Sequence, residues 1–550
     1  MESKKNVSKK TSAGILGNKL YLYLTEFFAG MSVMAVELGA SRLLAPYFSS
    51  SQIVWTIIIG TIMIAMALGN YFGGKSADKN PDPDKLYKRI LLSAVWIAAI
   101  PFIGKLVIIG ISTLLVVTVS TNFLIWAAFL ACMVIFVYPL FLLGTVTPSL
   151  VKYTTDSLDD NGRTVGTLGA FNTVGSIIGT FAPTFITIPT VGTAVTFLIF
   201  SGILLLLGLV YFISCKRGYI RMAICTVLFI VFCFTGTVLG FAFWEKSLTF
   251  EGESVYNYLQ VKEDEKQAAL STNVLFGIQS IYMKDGGLTG LYYDTAMAAP
   301  LMSDGDETSE KHILVLGMGT GTYAKQCRTY FPGIEVEGVE IDEKITDLAH
   351  EYFDLDSDIK VTTYDGRAYL NSLKGAYKNG EASVEKYDVI MVDAYQDITI
   401  PFQMSTTEFF TLVKKSLKDG GVMVVNMNIH SDKKGSINEY LCDTIASVFN
   451  DVYTVKVHNT TNRELFASDL TGMPDRLYSA AQKLDDPDLK ELMENVYYDM
   501  ERYEGGELIL TDDKAPVELL GMRVIDDLIS EELVYYKNQF KENGIDGLIG

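Results

Sequence analysis

The sequence predicts a polytopic α-helical membrane domain, then a small β-sheet module, then an α/β domain with a parallel sheet. Three observations predict it. Long apolar segments are confined to the first half, the net charge reverses between the halves, and the second half alternates buried strands with helices around a glycine-rich turn. The boundaries fall at 1–246 for the membrane domain, 247–300 for the β module and 301–550 for the α/β domain.

A chain of 550 residues is too long for one compact core. Up to Lys246 it carries 18 basic and 10 acidic residues, net +8; the remainder carries 27 and 54, net −27, which together give the chain's −19. Such a split fits a basic-flanked membrane domain joined to an acidic one. It also excludes nucleic acid as a partner of the acidic half, because phosphate binding needs a basic footprint. The six cysteines, Cys132, Cys215, Cys225, Cys233, Cys327 and Cys442, show no CxxC or Cys/His spacing and read as small core side chains. The four histidines, His312, His350, His430 and His458, read as structural or surface residues, and no metal is expected.

Seven segments are apolar enough to cross ~30 Å of hydrocarbon: 20–45, 53–74, 89–117, 122–148, 165–189, 193–214 and 221–243. The Lys-rich N-terminus precedes a first membrane helix, since no cleavage site follows the first apolar stretch. Pro101 and Lys105 predict a kink or break in the third segment. Lys and Arg gather before the first segment and in alternate connections, which places the N-terminus in the cytoplasm. The protein is thus expected in the cell membrane, multi-pass, with lipid as its partner. Seven crossings would put the C-terminal half outside, an eighth or a re-entrant segment would put it inside, and the side stays open. Within the first helix Glu26 and Glu37 are about three turns apart and share a face. The plainer expectation is that Glu26 and Arg42 reach water at opposite interfaces and only Glu37 is buried and paired; the alternative is a cation or polyamine path. Gly69 with Gly73, and Gly175 with Gly179, predict close helix contacts.

After Lys246 the runs SVYNYLQV, FGIQSIYM and KDGGLTGLYYD read as short strands separated by turns. From Lys311, HILVLGMGTGTYAKQ is a strand, a turn at Gly317, Gly319 and Gly321, and a helix; IEVEGVEIDEK is a second strand ending at Glu340. This is a Rossmann-like nucleotide-binding arrangement: the glycines let backbone approach a ligand, and the acid can accept both ribose hydroxyls. IKVTTYDGRAYL ends a third strand at Asp365 and Gly366, and YDVIMVDAYQD ends a buried strand at Asp393. Ligands of open α/β sheets bind beyond the carboxyl ends of the strands, so these acids and the glycine turn converge on one crevice. An acid after the third strand suits an S-adenosylmethionine-type nucleotide better than a dinucleotide.

In these motifs the chain resembles the spermidine synthase (polyamine aminopropyltransferase) family, in particular its membrane-fused branch. The resemblance rests on ELGASRLLAPYFSSSQIVW, ALGNYFGGKSAD, GTVTPSL and FNTVGSIIGTFAPTF in the first half, and on GESVYNYLQV, VLGMGTGT, VEID, YDGRAYL, DVIMVDAY and LTDDKAPVE in the second. It implies transfer of an aminopropyl group from decarboxylated S-adenosylmethionine to putrescine or a related small amine, in an adenosylmethionine-dependent methyltransferase-type fold, with no metal and with a homodimer as the assembly. It implies that Asp393 is the catalytic base, that Glu340 holds the ribose, that Asp365 and Gly366 meet the adenine, that Gln279 contacts the donor, and that Tyr395 and Asp397 meet the amine.

The chain departs from the family at several places. Thr320 stands where the glycine loop usually has Asp, Gln396 where a second Asp follows the catalytic one, Tyr292-Tyr293-Asp294 where Tyr-His-Glu is usual, and Ser280-Ile281-Tyr282 where an Asp-Glu pair is expected. Two other readings therefore stand beside the first: a methyltransferase using intact S-adenosylmethionine, and a non-catalytic nucleoside- or polyamine-binding transporter or sensor. Asp512 and Asp513 in LTDD read as a structural turn.

Overall fold

The structure, a computed structural model, describes residues 15–48, 50–118, 122–154, 161–274, 277–305, 310–379, 386–394, 400–427, 433–458 and 460–523. Its internal contacts divide the chain after Glu245 into two units.

The first unit is helical: α1 Lys19–Phe48, α2 Gln52–Lys79, α3 Pro83–Ala99, α4 Lys105–Thr118, α5 Phe123–Gly144, α6 Val146–Thr154, α7 Asn161–Ala182, α8 Ile188–Ser214 and α9 Tyr219–Val238. Ser51 opens α2 by accepting from the Val54 amide at 3.3 Å. Asp82 caps α3 with Pro83 in its first turn, where a missing N–H costs nothing. The break expected in the third segment is a π-helical stretch, Ile100–Gly104, around Pro101. Among the described residues, six helical stretches are long and apolar enough to cross a membrane by length and composition. The fifth, Gly162–Ser214, runs 53 residues but is broken at Gly192, whose φ of 79° and ψ of 171° leave the helical region. It therefore contains two of the seven expected segments.

Helix α1 is clasped by α7 through absent side chains. A Cβ on Gly175 would lie 2.0 Å from the Phe27 carbonyl oxygen, and one on Gly179 2.1 Å from that of Met31. The acids of α1 reverse the plainer expectation. Glu26, not Glu37, is fully buried: its Oε1 accepts from Thr147 Oγ1 at 2.6 Å and Asn172 Nδ2 at 2.8 Å, while Glu37 is half-buried. Helical position in the segment misled because α6 and α7 supply polar groups at the depth of Glu26, which sequence spacing within α1 cannot reveal.

The second unit begins with a four-stranded antiparallel sheet in chain order: β1 Leu248–Glu253, β2 Tyr258–Glu263, β3 Gln267–Ser271 and β4 Ser280–Met283. The run ending in LYYD is not a strand. Tyr292–Ala296 forms a short helix, α10, followed by α11, Ala298–Met302. Asp294 decides this: its carboxylate accepts from the Thr289 and Gly290 amides at 3.0 and 2.6 Å, folding the glycine turn back onto the helix start.

The larger sheet has eight strands. They are β5 His312–Leu316, β6 Glu335–Glu340, β7 Lys360–Thr363, β8 Tyr387–Val392, β9 Leu417–Met427, β10 Asp451–Lys456, β11 Arg463–Ser468 and β12 Glu501–Arg502, in spatial order β12-β10-β11-β9-β8-β5-β6-β7. Strands β5 to β9 run parallel and the rest antiparallel. The intervening helices are α12 Thr322–Tyr330, α13 Glu343–Tyr352, α14 Gly366–Asn379, α15 Thr407–Ser416 and α16 Ile437–Ala446; α17 Met473–Ala481 and α18 Pro487–Asp499 follow β11. Both faces carry an apolar core, as buried parallel strands require. After β7 the chain returns to place β8 on the other side of β5. The carboxyl ends of β5 and β8 therefore flank the reversal point, where such sheets bind ligands.

Candidate active site

A cavity of about 320 Å³ opens at that reversal point. Its walls include Gln279, Gly317, Gly319, Glu340, Asp365, Gly366 and Asp393, so six sequence-predicted ligand positions and the predicted base meet at one place. Gly321 is not on the wall; it starts α12 with φ of 86° against Leu355. Tyr395 and Asp397 lie outside the described residues, as do Gln396 and His430.

The turn after β5 is shaped by what it must pass. Gly317 has φ of 87°, and a Cβ there would sit 2.5 Å from the Asp393 carbonyl oxygen. The Asp393 amide in turn donates to the Leu316 carbonyl at 2.9 Å. A side chain at 317 would thus push away the residue proposed to do the chemistry. Gly319 has φ of 55° and donates its amide to Glu340 Oε2 at 2.9 Å; Glu340 Oε1 accepts from the Asp342 amide at 3.1 Å. Each oxygen keeps a lone pair for a ligand hydroxyl. Glu340 is only 7% exposed, and burial pushes its carboxyl up to about 7 despite these amide bonds.

Asp393, at the end of β8, accepts from the Tyr292 hydroxyl at 2.6 Å and from Asn426 Nδ2 at 3.0 Å. Asn426 is fixed by Asn462, whose Nδ2 donates to its Oδ1 at 2.8 Å. Burial raises the Asp393 carboxyl to about 7, the two hydrogen bonds pull against that rise, and the charge of Glu340 adds to it. No Lys, Arg or His lines the cavity among the described residues. An acid-walled crevice without a cation suits a positively charged ligand, not a phosphate.

Asp365 lines the cavity and also accepts from the Ala368 amide at 2.8 Å, opening α14. Gln279 is held through its backbone: its carbonyl accepts from the Tyr293 hydroxyl at 2.8 Å. The LTDD turn is structural, as expected. Asp512 pairs with Arg367 through two bonds of 2.7 and 2.5 Å and accepts from Thr406 Oγ1 at 2.8 Å, tying the turn to the start of α14. Sequence reasoning missed Tyr323 and Asn426 as site residues, and named Tyr292 only within the run that stands where Tyr-His-Glu is usual, without its contact to Asp393. Asn426 had a signal, a lone amide ending the apolar run VMVV in the register of Asp393.

The fold and site define a Rossmann-like transferase domain preceded by an antiparallel β-sheet. The spermine/spermidine synthase domain family matches residues 291–462. A probable polyamine aminopropyl transferase of Bifidobacterium longum is 52% identical over 358 residues, 62% of this chain and 77% of that protein. The chain belongs to the spermidine synthase family and is a transferase. An eEF1A lysine and N-terminal methyltransferase of Xenopus laevis is 32% identical over 162 residues, 28% of this chain and 22% of that one. A crystal structure of a probable spermidine synthase from Corynebacterium glutamicum aligns over 47% of this chain and 98% of its own, at 20% identity and a TM-score of 0.35.

Proposed function

We propose that the protein is a membrane-bound aminopropyltransferase that moves the aminopropyl group of decarboxylated S-adenosylmethionine onto putrescine or a related small amine. The observation that carries this reading is the pairing of two buried acids, Glu340 and Asp393, with a glycine turn in one cavity that has no Lys, Arg or His among the described residues of its wall. Glu340 accepts the ribose hydroxyls, Gly317 and Gly319 let the backbone approach the nucleoside, and Asp365 with Gly366 meets the adenine. Gln279 faces the donor from the β module. The sulfonium needs no counter-ion beyond these acids. The amine attacks the carbon beside sulfur, the carbon–sulfur bond breaks, and methylthioadenosine leaves with the electron pair. Asp393 accepts the proton that the amine gives up, for which a value near neutrality is well matched. Alignment of nucleophile and leaving group supplies much of the rest.

The chain is read as a membrane domain at 1–246, a β module at 247–300 and the transferase domain at 301–550. Six apolar helical stretches, with large apolar side chains such as Ile220, Phe234 and Val238 turned outward, support insertion of the first. Purified full-length protein, given each sulfonium donor with putrescine, tests the reading. Methylthioadenosine release supports it. Release of adenosylhomocysteine from intact S-adenosylmethionine replaces it with the second reading, a methyltransferase, which the match to the lysine methyltransferase favours. Nucleoside binding without either product replaces both with a non-catalytic sensor.

A further inference from the structure

Beside Asp393 the sheet edge carries one more acid, which the reaction above leaves unused. Val392 of β8 faces Val425 of β9, which sets Asp393 level with Asn426, and Asn426 faces Glu464 of β11. The three form a row across neighbouring strands, on the face whose core residues include Met391, Val424 and Phe466. Two strand spacings separate the acids, ~10 Å.

Glu464 is 0% exposed, and neither carboxylate oxygen has a hydrogen-bond partner. A buried acid without a partner is costly to the fold. A cationic ligand group that reached it would relieve that cost. Tyr323 lines the cavity, as Asp393 does, and lies within electrostatic reach of Glu464. The Tyr323 hydroxyl reaches the Ala296 carbonyl at 3.3 Å, a long hydrogen bond.

We propose that Glu464 is a specificity-determining residue that anchors the far ammonium of a diamine acceptor once Tyr323 swings aside. The near nitrogen then lies at Asp393, and the methylenes run along the rings of Tyr292 and Tyr323. The cationic end finds a carboxylate neither of whose oxygens has a hydrogen-bond partner among the described residues, and a monoamine would leave it bare. This rests on the aminopropyltransferase reading.

Full-length protein carrying Glu464→Gln tests it, with kinetics on a diamine and on a monoamine of equal chain length at saturating donor. The expected result is a KM for the diamine raised at least ~10-fold, loss of the preference for diamine over monoamine, and unchanged donor affinity. An unchanged diamine KM with a raised melting temperature overturns the proposal, because a merely structural buried acid is relieved by the amide. Should that variant fold poorly, Glu464→Asp keeps the charge on a shorter arm, and its preferred diamine should lengthen. No shift in preferred length overturns the proposal as well. Failure of the underlying reading is visible separately, as wild-type protein inert with every donor and amine.

Discussion

The Tyr292 hydroxyl donates to Asp393 Oδ2 at 2.6 Å, across the interval from the α10 turn to the end of β8. A hydrogen bond to a carboxylate stabilises its ionised form, so this contact restrains the rise that burial imposes on Asp393. Tyr292→Phe removes the donor and keeps the ring. The Asp393 carboxyl should then titrate higher. Turnover at neutral pH should fall ~10-fold and partly recover at higher pH, which a pH–rate profile of the two proteins would show. A uniform loss at every pH would mean that the hydroxyl acts on the substrate instead.

Asp393 and Glu340 both titrate near 7 in the folded protein, against ~4 in an unfolded chain. Raised values favour the protonated fold, so the stability they contribute is fully present below ~4 and is lost as pH rises through about 7. Catalysis runs the other way, since the base must be ionised. Over pH 5 to 8 the melting temperature should therefore fall as kcat/KM rises, the latter with an apparent value near 7. Asp393→Asn should abolish turnover, flatten part of the stability slope and leave methylthioadenosine affinity nearly unchanged. Turnover that survives this change removes Asp393 from the mechanism.

Glu340 reaches the Gly319 and Asp342 amides through different oxygens. Glu340→Gln keeps one acceptor oxygen but sets an amide donor against one of those N–H groups. Loss of the charge-assisted ribose contact and disturbance of the turn should weaken methylthioadenosine binding by ~10–100-fold, measured by calorimetry. An affinity within twofold of wild type would take the ribose away from Glu340.

How legible was this in the sequence? The strand-turn-helix at Gly317, and the acids at Glu340, Asp365 and Asp393, were legible because a parallel sheet brings every strand's carboxyl end to the same edge. Only the strand order was needed to make one cavity of four separate motifs. The contact of Tyr292 with Asp393 escaped because it spans 101 residues and depends on Asp294 curling the preceding glycines into a turn. Glu464 escaped for a similar reason: nothing local in RELFAS marks it as buried, and the pairing of β11 with β9 and β10 puts it inside. In the helical unit, the segments followed from hydropathy and the π-helical break from Pro101. The partners of Glu26 did not, because Thr147 and Asn172 come from helices more than a hundred residues away.

Helices α1 and α7 meet backbone to backbone at Gly175 and Gly179. With a Cβ only 2.0 Å from the Phe27 carbonyl oxygen, any side chain at 175 must push α1 and α7 apart. Overpacking of this kind costs ~1–3 kcal/mol for one added group and more for a branched one. Gly175→Val should therefore loosen the first unit. The buried thiols can locate that effect: Cys132 and Cys225 belong to the first unit, Cys327 and Cys442 to the second, and all four are buried. Alkylation followed against temperature should show the first pair reacting several degrees earlier in the variant, with the second pair unchanged. The described residues that line the cavity all fall between Tyr256 and Met404, so methylthioadenosine affinity should also hold. Early reaction of all four thiols would instead show that the two units unfold as one, and that packing at Gly175 supports the transferase domain itself.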